Sequence, residues 1–551
     1  MTILSRLILI LLIALPLAAE AKERLVIGIS QYPSTLHPAY DSMLAKTYIM
    51  GMTRRPISTI SPDWEDVCML CTALPDLEKG TAKYYKTADG KDGIAVTYTL
   101  DDKAVWGDGT PLTTKDIEFT WKVGHNPQSG FDNYELFKRI EKVEIKDAYT
   151  FTLYINKRSC EYKGLTQFYI LPAHMEAALF DPKAAKQYRP KSLYERDPTN
   201  PALWFGPYRV AQIQPGQSIT LVRNEHWWGK KPYFDEIELR SIENTAALTA
   251  NLPSGDIDMI AGELGLTIDQ AIGFERRYGD NYQIIYKPGL VYEHVDLRLD
   301  NPVLADKRLR QALLYGINRE AISQNLFAGK QPVANGSVHP LDVVYDPDVK
   351  TYAYDPAKAA ELLDAAGWKK TGRYRSNAAG ERLTFEVNST AGSKNRELVE
   401  QVLQSQWKEL GIDLTIRNEP PRVLFGENIS KRKFKDMALF AWISSPRNIP
   451  RSTLYSGNIP SDKNGWTGQN YTGFDNAEMD QVLDDLELKC GETENRALWN
   501  RAQEIYAEEL PALPLYFRAN TYILPKGLKG LTPTGHQFPS TLWVENWHME
   551  N

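Results

Sequence analysis

Reactive and metal-binding side chains are scarce in this sequence, with four cysteines and eight histidines scattered over 551 residues. Cys68 and Cys71 form a Cys-x-x-Cys, but no second such pair and no His-x-x-x-His accompanies it, so a structural zinc site lacks ligands. Also missing are a Gly-x-Ser-x-Gly elbow, a His-Glu-x-x-His, a phosphate-cradling loop and a dinucleotide glycine pattern. Their absence argues against the hydrolases, metalloproteases and nucleotide enzymes that carry such signatures. Paired carboxylates, which can build a glycosidase without a short motif, remain the open catalytic option. No charge of one sign dominates: 64 Lys and Arg stand against 70 Asp and Glu, giving a net charge of -6 with both signs interspersed. That balance lacks the one-sided basic surface that nucleic acid requires.

Long apolar runs are absent except at the start. Arg6, the apolar stretch from Leu7 to Leu17, and Ala19-Glu20-Ala21 read as the charged, apolar and cleavage regions of an export signal, placing the mature start near Lys22. The stretch is shorter than the roughly 20 residues of a membrane-spanning helix and contains Pro16. No cysteine lies near the cleavage site for lipid attachment, so the expected location is free in the periplasm. Disulfides persist in such a compartment, and four cysteines allow three pairings, with Cys68 and Cys71 expected in a local or structural bridge. The remaining chain exceeds the 250 to 300 or so residues at which single cores stop growing, so at least two lobes are expected. Thirteen Trp and 29 Tyr suit both core filling and the lining of a cleft.

Along the chain, Arg24-Leu25-Val26-Ile27-Gly28-Ile29 reads as a buried first strand followed by a turn-rich loop. Between about 94 and 160, alternating segments such as Ile94-Ala95-Val96-Thr97-Tyr98-Thr99-Leu100 predict antiparallel strands around one helix that begins at Thr113 or Thr114. Residues 181 to 201 read as a surface connection rich in proline and charge. Helical periodicity covers 306 to 327, 356 to 366, 397 to 410 and 494 to 509, with Gly367 and Gly411 as stops. A strand from Ile412 to Ile416 follows the third of these, and no internal repeat or low-complexity segment is present.

Several blocks in register resemble the dipeptide-, oligopeptide- and nickel-binding receptors of the extracellular solute-binding family 5. They begin with Ser34-Thr35-Leu36-His37-Pro38, where the family usually carries Asp in place of His37, and with Trp106-Gly107-Asp108-Gly109-Thr110-Pro111-Leu112-Thr113. Phe205-Gly206-Pro207-Tyr208, Arg223-Asn224-Glu225-His226-Trp227-Trp228-Gly229 and Ser254-Gly255-Asp256-Ile257-Asp258 continue the series. So do Asp306-Lys307-Arg308-Leu309-Arg310-Gln311-Ala312-Leu313, Tyr354-Asp355-Pro356-Ala357-Lys358-Ala359-Ala360 and Pro511-Ala512-Leu513-Pro514-Leu515-Tyr516. Most of these residues make tight turns or core anchors, Trp106 and Tyr208 among the latter, and so point to the family and not to the ligand.

The resemblance implies an α/β, two-lobed periplasmic-binding-protein fold of type II, in its large three-domain subclass, with mixed sheets and a two-strand hinge. The implied division is a signal peptide at 1-21, a first lobe built from 22-67, 203-287 and 516-551, an inserted subsidiary domain at 68-202, and a second lobe at 288-515. It implies a monomeric receptor, not an enzyme, with no cofactor and no protein metal cage. The receptor would close on a small peptide or peptide-like solute and deliver it to the permease of an ABC importer in the inner membrane. Cleft residues expected from this likeness are Tyr32, His37, Tyr292, His294, Ser389, Trp442, Ser444, Ser445 and Arg447. In the family's peptide binders an acidic residue three positions after a cleft Trp takes the ligand's α-amino group. Here Trp442 leads to Ser445, a neutral hydroxyl that cannot supply the charge-assisted bond, which argues against a free-amine peptide. The loop where dipeptide binders place a carboxylate-binding Arg holds Ser389-Thr390-Ala391-Gly392-Ser393, with Arg396 nearby expected to pair structurally. Arg447 would favour an acidic ligand if it faced the cleft. The competing readings are a chemosensory receptor of the same fold and, further off, a secreted hydrolase.

Overall fold

The computed structural model describes residues 23-550. The expected export signal and its cleavage site lie outside the described residues. One ten-stranded mixed sheet runs through both lobes. Its first strand is Arg24–Ile29, whose inward side chains Leu25, Ile27 and Ile29 are almost wholly buried. It pairs in parallel with Glu236–Ser241 on one side and Met259–Ile260 on the other. Being flanked on both edges by partners, it carries the near-continuous apolar run that a central strand requires.

Two long strands, Tyr282–Leu297 and Ala512–Pro525, carry the chain between the lobes. Tyr282 to Pro288 pair antiparallel with Ala519 to Pro525, and the register then breaks before Tyr292 pairs with Phe517. Side chains on the two stretches belong to different cores. Tyr522 and Leu524 join the cluster built on Leu25, Tyr48, Trp106 and Trp204, while Val295, Leu513 and Leu515 join the cluster built on Leu309, Leu403 and Trp407. At the break, Gly289 lies so close to the C-terminal segment that a Cβ would stand 2.5 Å from the Gly535 carbonyl oxygen. Glycine permits that backbone approach.

Ala82–Lys86, Asp92–Thr99, Thr150–Ile155 and Ile140–Ile145 form a separate four-stranded antiparallel sheet. It packs on the helix Thr114–His125, which starts at Thr113 through a capping box with Asp116, as the local spacing predicts. Residues 181 to 201, expected as a surface connection, form a chain of short helical turns whose Tyr188 and Tyr194 are buried. The helical stretch expected from 306 to 327 is two helices, Lys307–Tyr315 and Arg319–Phe327. The chain turns at Gly316, where a Cβ would stand 2.5 Å from the Leu410 side chain. Asn318 then caps the second helix by accepting from the Ala321 N–H.

Cysteine pairing joins distant parts. Cys68 and Cys71 form a local disulfide, while Cys160, just past the four-stranded sheet, bonds Cys490, 330 residues away between the helices Ala477–Leu488 and Glu492–Glu509. The second bridge and the neighbouring Lys157 to Glu487 ion pair (3.1 Å) tie these two distant stretches together.

Candidate functional site

Four cavities run into one another through shared lining residues, and two of them are walled by residues from both sides of the paired strands. The largest, about 590 Å³, lies beside the hinge and is walled by Ser30, Gln31 and 262 to 268 on one side, with Gln331, Asn395, Arg396 and Arg518 on the other. Leu44 connects it to a chamber of about 280 Å³ that includes Met50, Phe168 and Phe538. Thr166, Gln167 and Phe538 lead on to a chamber of about 310 Å³ that reaches Cys160 and Arg447. Ser445 and Trp499 open from there into a chamber of about 90 Å³ lined by Tyr292, His339, Asp342, Trp442 and Ser444. The combination of aromatic walls with a few convergent polar groups is the usual character of a small-ligand site.

The strand Met437–Ile443 positions the end of this chain of cavities. Its inner edge pairs with Val291 to Leu297 throughout, but its outer edge meets the strand Thr384–Thr390 only at Met437 and Ala438. Trp442 stacks on Tyr471 with ring centroids 5.7 Å apart, and Ile443 is left 76% exposed. An apolar side chain so exposed, at the open end of a strand beside a cavity, is an available contact surface. Opposite, the Tyr292 hydroxyl lies 2.9 Å from that of Tyr506, and burial raises both phenols well above their ordinary range. They stay neutral and hold the floor of the chamber.

Five of the nine expected cleft residues therefore meet: Tyr292, Trp442, Ser444 and Ser445 in the small chamber, and Arg447 in the next. The guanidinium of Arg447 does not stand free for an acidic ligand, because it pairs with Asp66 of the other body at 2.6 Å. Its backbone holds a left-handed φ of 57°, and its N–H donates to Asp342 at 2.7 Å. A non-glycine residue in that region is strained, and the two anchors hold it there.

The other four expected residues do not line the cavities. His37 is fully enclosed by Tyr40, Phe131, Tyr188 and Tyr194, and its Nδ1 accepts the Ala39 N–H. Burial, with Lys46, Arg54 and Arg189 near, pushes its pKa well below the ordinary value, so it is a neutral core histidine. Tyr32 packs against the first core, away from the gap between lobes. Ser389 is fully buried and donates to the Leu439 carbonyl at 2.9 Å, tying two strands together. His294 sits behind the chamber wall, stacked on Tyr292 at 4.9 Å and within 3.2 Å of Asp296.

Charge in the large cavity comes from a group with no local signature in the sequence. Glu293, fully buried, accepts from Arg396 at 3.1 and 3.3 Å and also pairs with Arg518. Burial alone would raise the Glu293 carboxyl, but the two guanidiniums outweigh it and hold it below the ordinary range. Arg396 is thus structurally paired, as expected, and its Nη1 donates to the Thr390 hydroxyl. Two cations share one carboxylate, which leaves that cluster with one positive charge in excess, and Arg518 is about two-fifths exposed. Asp342, His339 and Gln331 also line the cavities and were not singled out by the sequence, because they lie in a loop whose turn composition reads as surface.

The description "Bacterial extracellular solute-binding proteins, family 5 Middle" matches residues 78-464. An oligopeptide-binding protein OppA of Bacillus subtilis is 23% identical over 539 residues, covering 94% of this chain and 91% of its own. Among solved structures, an oligopeptide-binding protein of Thermus thermophilus complexed with a pentapeptide is 30% identical, with a TM-score of 0.65 and 96% of each chain covered. The fold alone is also shared with NikA of Brucella suis in complex with Fe(III)-EDTA, at 17% identity and a TM-score of 0.75, covering 96% of this chain and all of that one. With a matching stretch that spans more than half of its length and a cleft between two lobes joined by paired strands, this chain belongs to the bacterial extracellular solute-binding proteins, family 5.

Proposed function

We propose that this protein is the monomeric, periplasmic receptor of an ABC importer, and that it captures a short peptide in extended form between its lobes and delivers it to an inner-membrane permease. The observation that carries the peptide assignment is the strand Met437–Ile443, whose outer edge has no ladder partner beyond Ala438 and, past the Leu439 carbonyl taken by the Ser389 hydroxyl, runs on to Trp442 in the cavity chain. Such an edge can accept main-chain hydrogen bonds from an added strand, while pockets take alternate side chains. Burying peptide groups without partners would cost a few kcal/mol each, so an edge that supplies them favours a peptide over an apolar solute. The first lobe is taken as 22-67, 203-287 and 516-551, the inserted domain as 68-202 and the second lobe as 288-515. Ligand favours the closed arrangement by binding it better, and the hinge at 288-291 absorbs the change. The family likeness supports binding without chemistry.

Native mass spectrometry of protein purified without denaturation is expected to show a retained peptide, and calorimetric titration with tri- to pentapeptides a one-to-one complex. Replacing Trp442 by Ala removes a cavity wall and is expected to weaken that complex about 30-fold, the scale of a central aromatic contact. If no peptide binds, or if Trp442→Ala binds as wild type does, the proposal fails.

A further inference from the structure

Two side chains in the smallest chamber are short of partners. Asp342 is 7% exposed, and its oxygens accept the backbone N–H groups of Arg447 (2.7 Å) and Val344 (3.2 Å). A carboxylate offers about four lone-pair sites, so capacity remains. Among the described residues no cation forms an ion pair with it. Arg447 is drawn away to Asp66, and Arg496 points to the Tyr345 carbonyl. A buried carboxylate is costly unless a cation meets it, and one lining a ligand cavity is a functional candidate for that reason.

His339, 2% exposed, lines the same chamber. Its Nδ1 accepts the Leu341 N–H at 3.0 Å, and burial with Lys287 near pushes its pKa down to about 4. At neutral pH the ring is therefore uncharged with its proton on Nε2. That atom is buried and without a partner among the described residues. The lining of the chamber thus carries one carboxylate with spare acceptor capacity and one neutral ring with a spare donor, alongside Tyr292 and Trp442.

We propose that Asp342 receives the primary ammonium group of the ligand while His339 donates from Nε2 to the carbonyl oxygen beside it, so that the chamber grips the N-terminal residue of a peptide. The assignment rests on the peptide reading above and names the subsite within it. The role that Ser445 cannot fill passes to a residue 103 positions earlier in the chain, brought beside the strand end by the Arg447 turn. A small chamber opening past Ser445 into a larger one suits a ligand terminus whose remainder extends outward.

The test is calorimetric titration of wild type, Asp342→Asn and His339→Phe with alanine tri-, tetra- and pentapeptides, each with a free and an acetylated N-terminus. A further arm uses acetylated peptides with lysine in first position. Wild type is expected to prefer the free amine at least tenfold. Asp342→Asn is expected to lose that preference while binding acetylated peptides unchanged, which also shows the variant is folded, and His339→Phe to weaken both forms. Equal wild-type binding of free and acetylated alanine peptides, or a free-amine preference that survives in Asp342→Asn, overturns the assignment. Preference only for the lysine-bearing peptides overturns the N-terminal placement. If wild type binds none of the peptides, the peptide reading falls and takes the subsite with it, a result distinct from peptide binding without amine preference.

Discussion

Breaking the Cys160 to Cys490 bridge is expected to destabilise the protein far more than breaking Cys68 to Cys71. In the chain-entropy account, a cross-link stabilises by restricting the unfolded chain, and the effect grows with the logarithm of the loop it closes. For the separation of 330 residues the restriction is worth about 19 cal/mol/K, or about 6 kcal/mol at 25 °C. For the separation of three it is about 2 kcal/mol. Measured bridges commonly give less than the entropy alone, so a loss of about 3 to 5 kcal/mol for the long bridge is the working expectation. The assay is urea unfolding of Cys160→Ser/Cys490→Ser and Cys68→Ser/Cys71→Ser beside wild type, followed by fluorescence of the 13 tryptophans. The long bridge also joins two bodies on one side of the cleft, so its removal should widen the ligand-free particle in small-angle scattering. Equal midpoints for the two double variants, or a long-bridge variant as stable as wild type, would refute the reasoning.

Replacing Glu293 by Gln leaves Arg396, which is nearly buried, without its counter-charge, and is expected to cost about 3 to 5 kcal/mol as seen in the urea midpoint. Arg518→Gln, at a partly exposed position, should cost much less, and reversal of that order would contradict the pairing. Stability should also fall with acid. His339 and His536 are held at about 4 in the fold, mainly by burial, against an ordinary value of 6.5. The unfolded chain therefore binds more protons between those values, so the stabilisation is present above about pH 6.5 and is lost as pH falls towards 4, by up to about 3 kcal/mol for each ring. Urea midpoints at pH 7.5, 5.5 and 4.5 should show this slope, and His339→Gln/His536→Gln should flatten it; an unchanged slope in that variant would count against the assignment.

Some parts of the molecule were legible from neighbouring residues alone. The strand Arg24–Ile29 announces itself by an unbroken apolar run, and the helix Thr114–His125 by a threonine cap with an acid three residues on. The break between Lys307–Tyr315 and Arg319–Phe327 was missed because the apolar period continues across Gly316, and only contact with Leu410 shows why the chain turns there. In the cleft, Trp442, Ser444 and Ser445 are expected from the likeness to the family's peptide binders, and the structure sets Trp442 against Tyr292 across the ladder. His37 was misplaced because its turn-rich flank reads as exposed, while packing with Tyr188 and Tyr194 seals it. Asp342 and Arg518 had no signal, since their meaning lies in partners 105 and 225 residues distant.

By itself the sequence determined many of the strands and helices, because hydrophobic period, caps and turn residues act over a few positions, and its blocks in register carried the resemblance to the family that implies a two-lobed receptor. Only the tertiary structure decided which charges meet. It gave Glu293 to two arginines, drew Arg447 off to Asp66, left Asp342 with no ion pair among the described residues in the chamber it shares with Trp442, and joined Cys160 to Cys490. The physical reason is that an ion pair or a bridge depends on separations of a few ångströms between segments hundreds of residues apart, and those are set by the packing of whole cores.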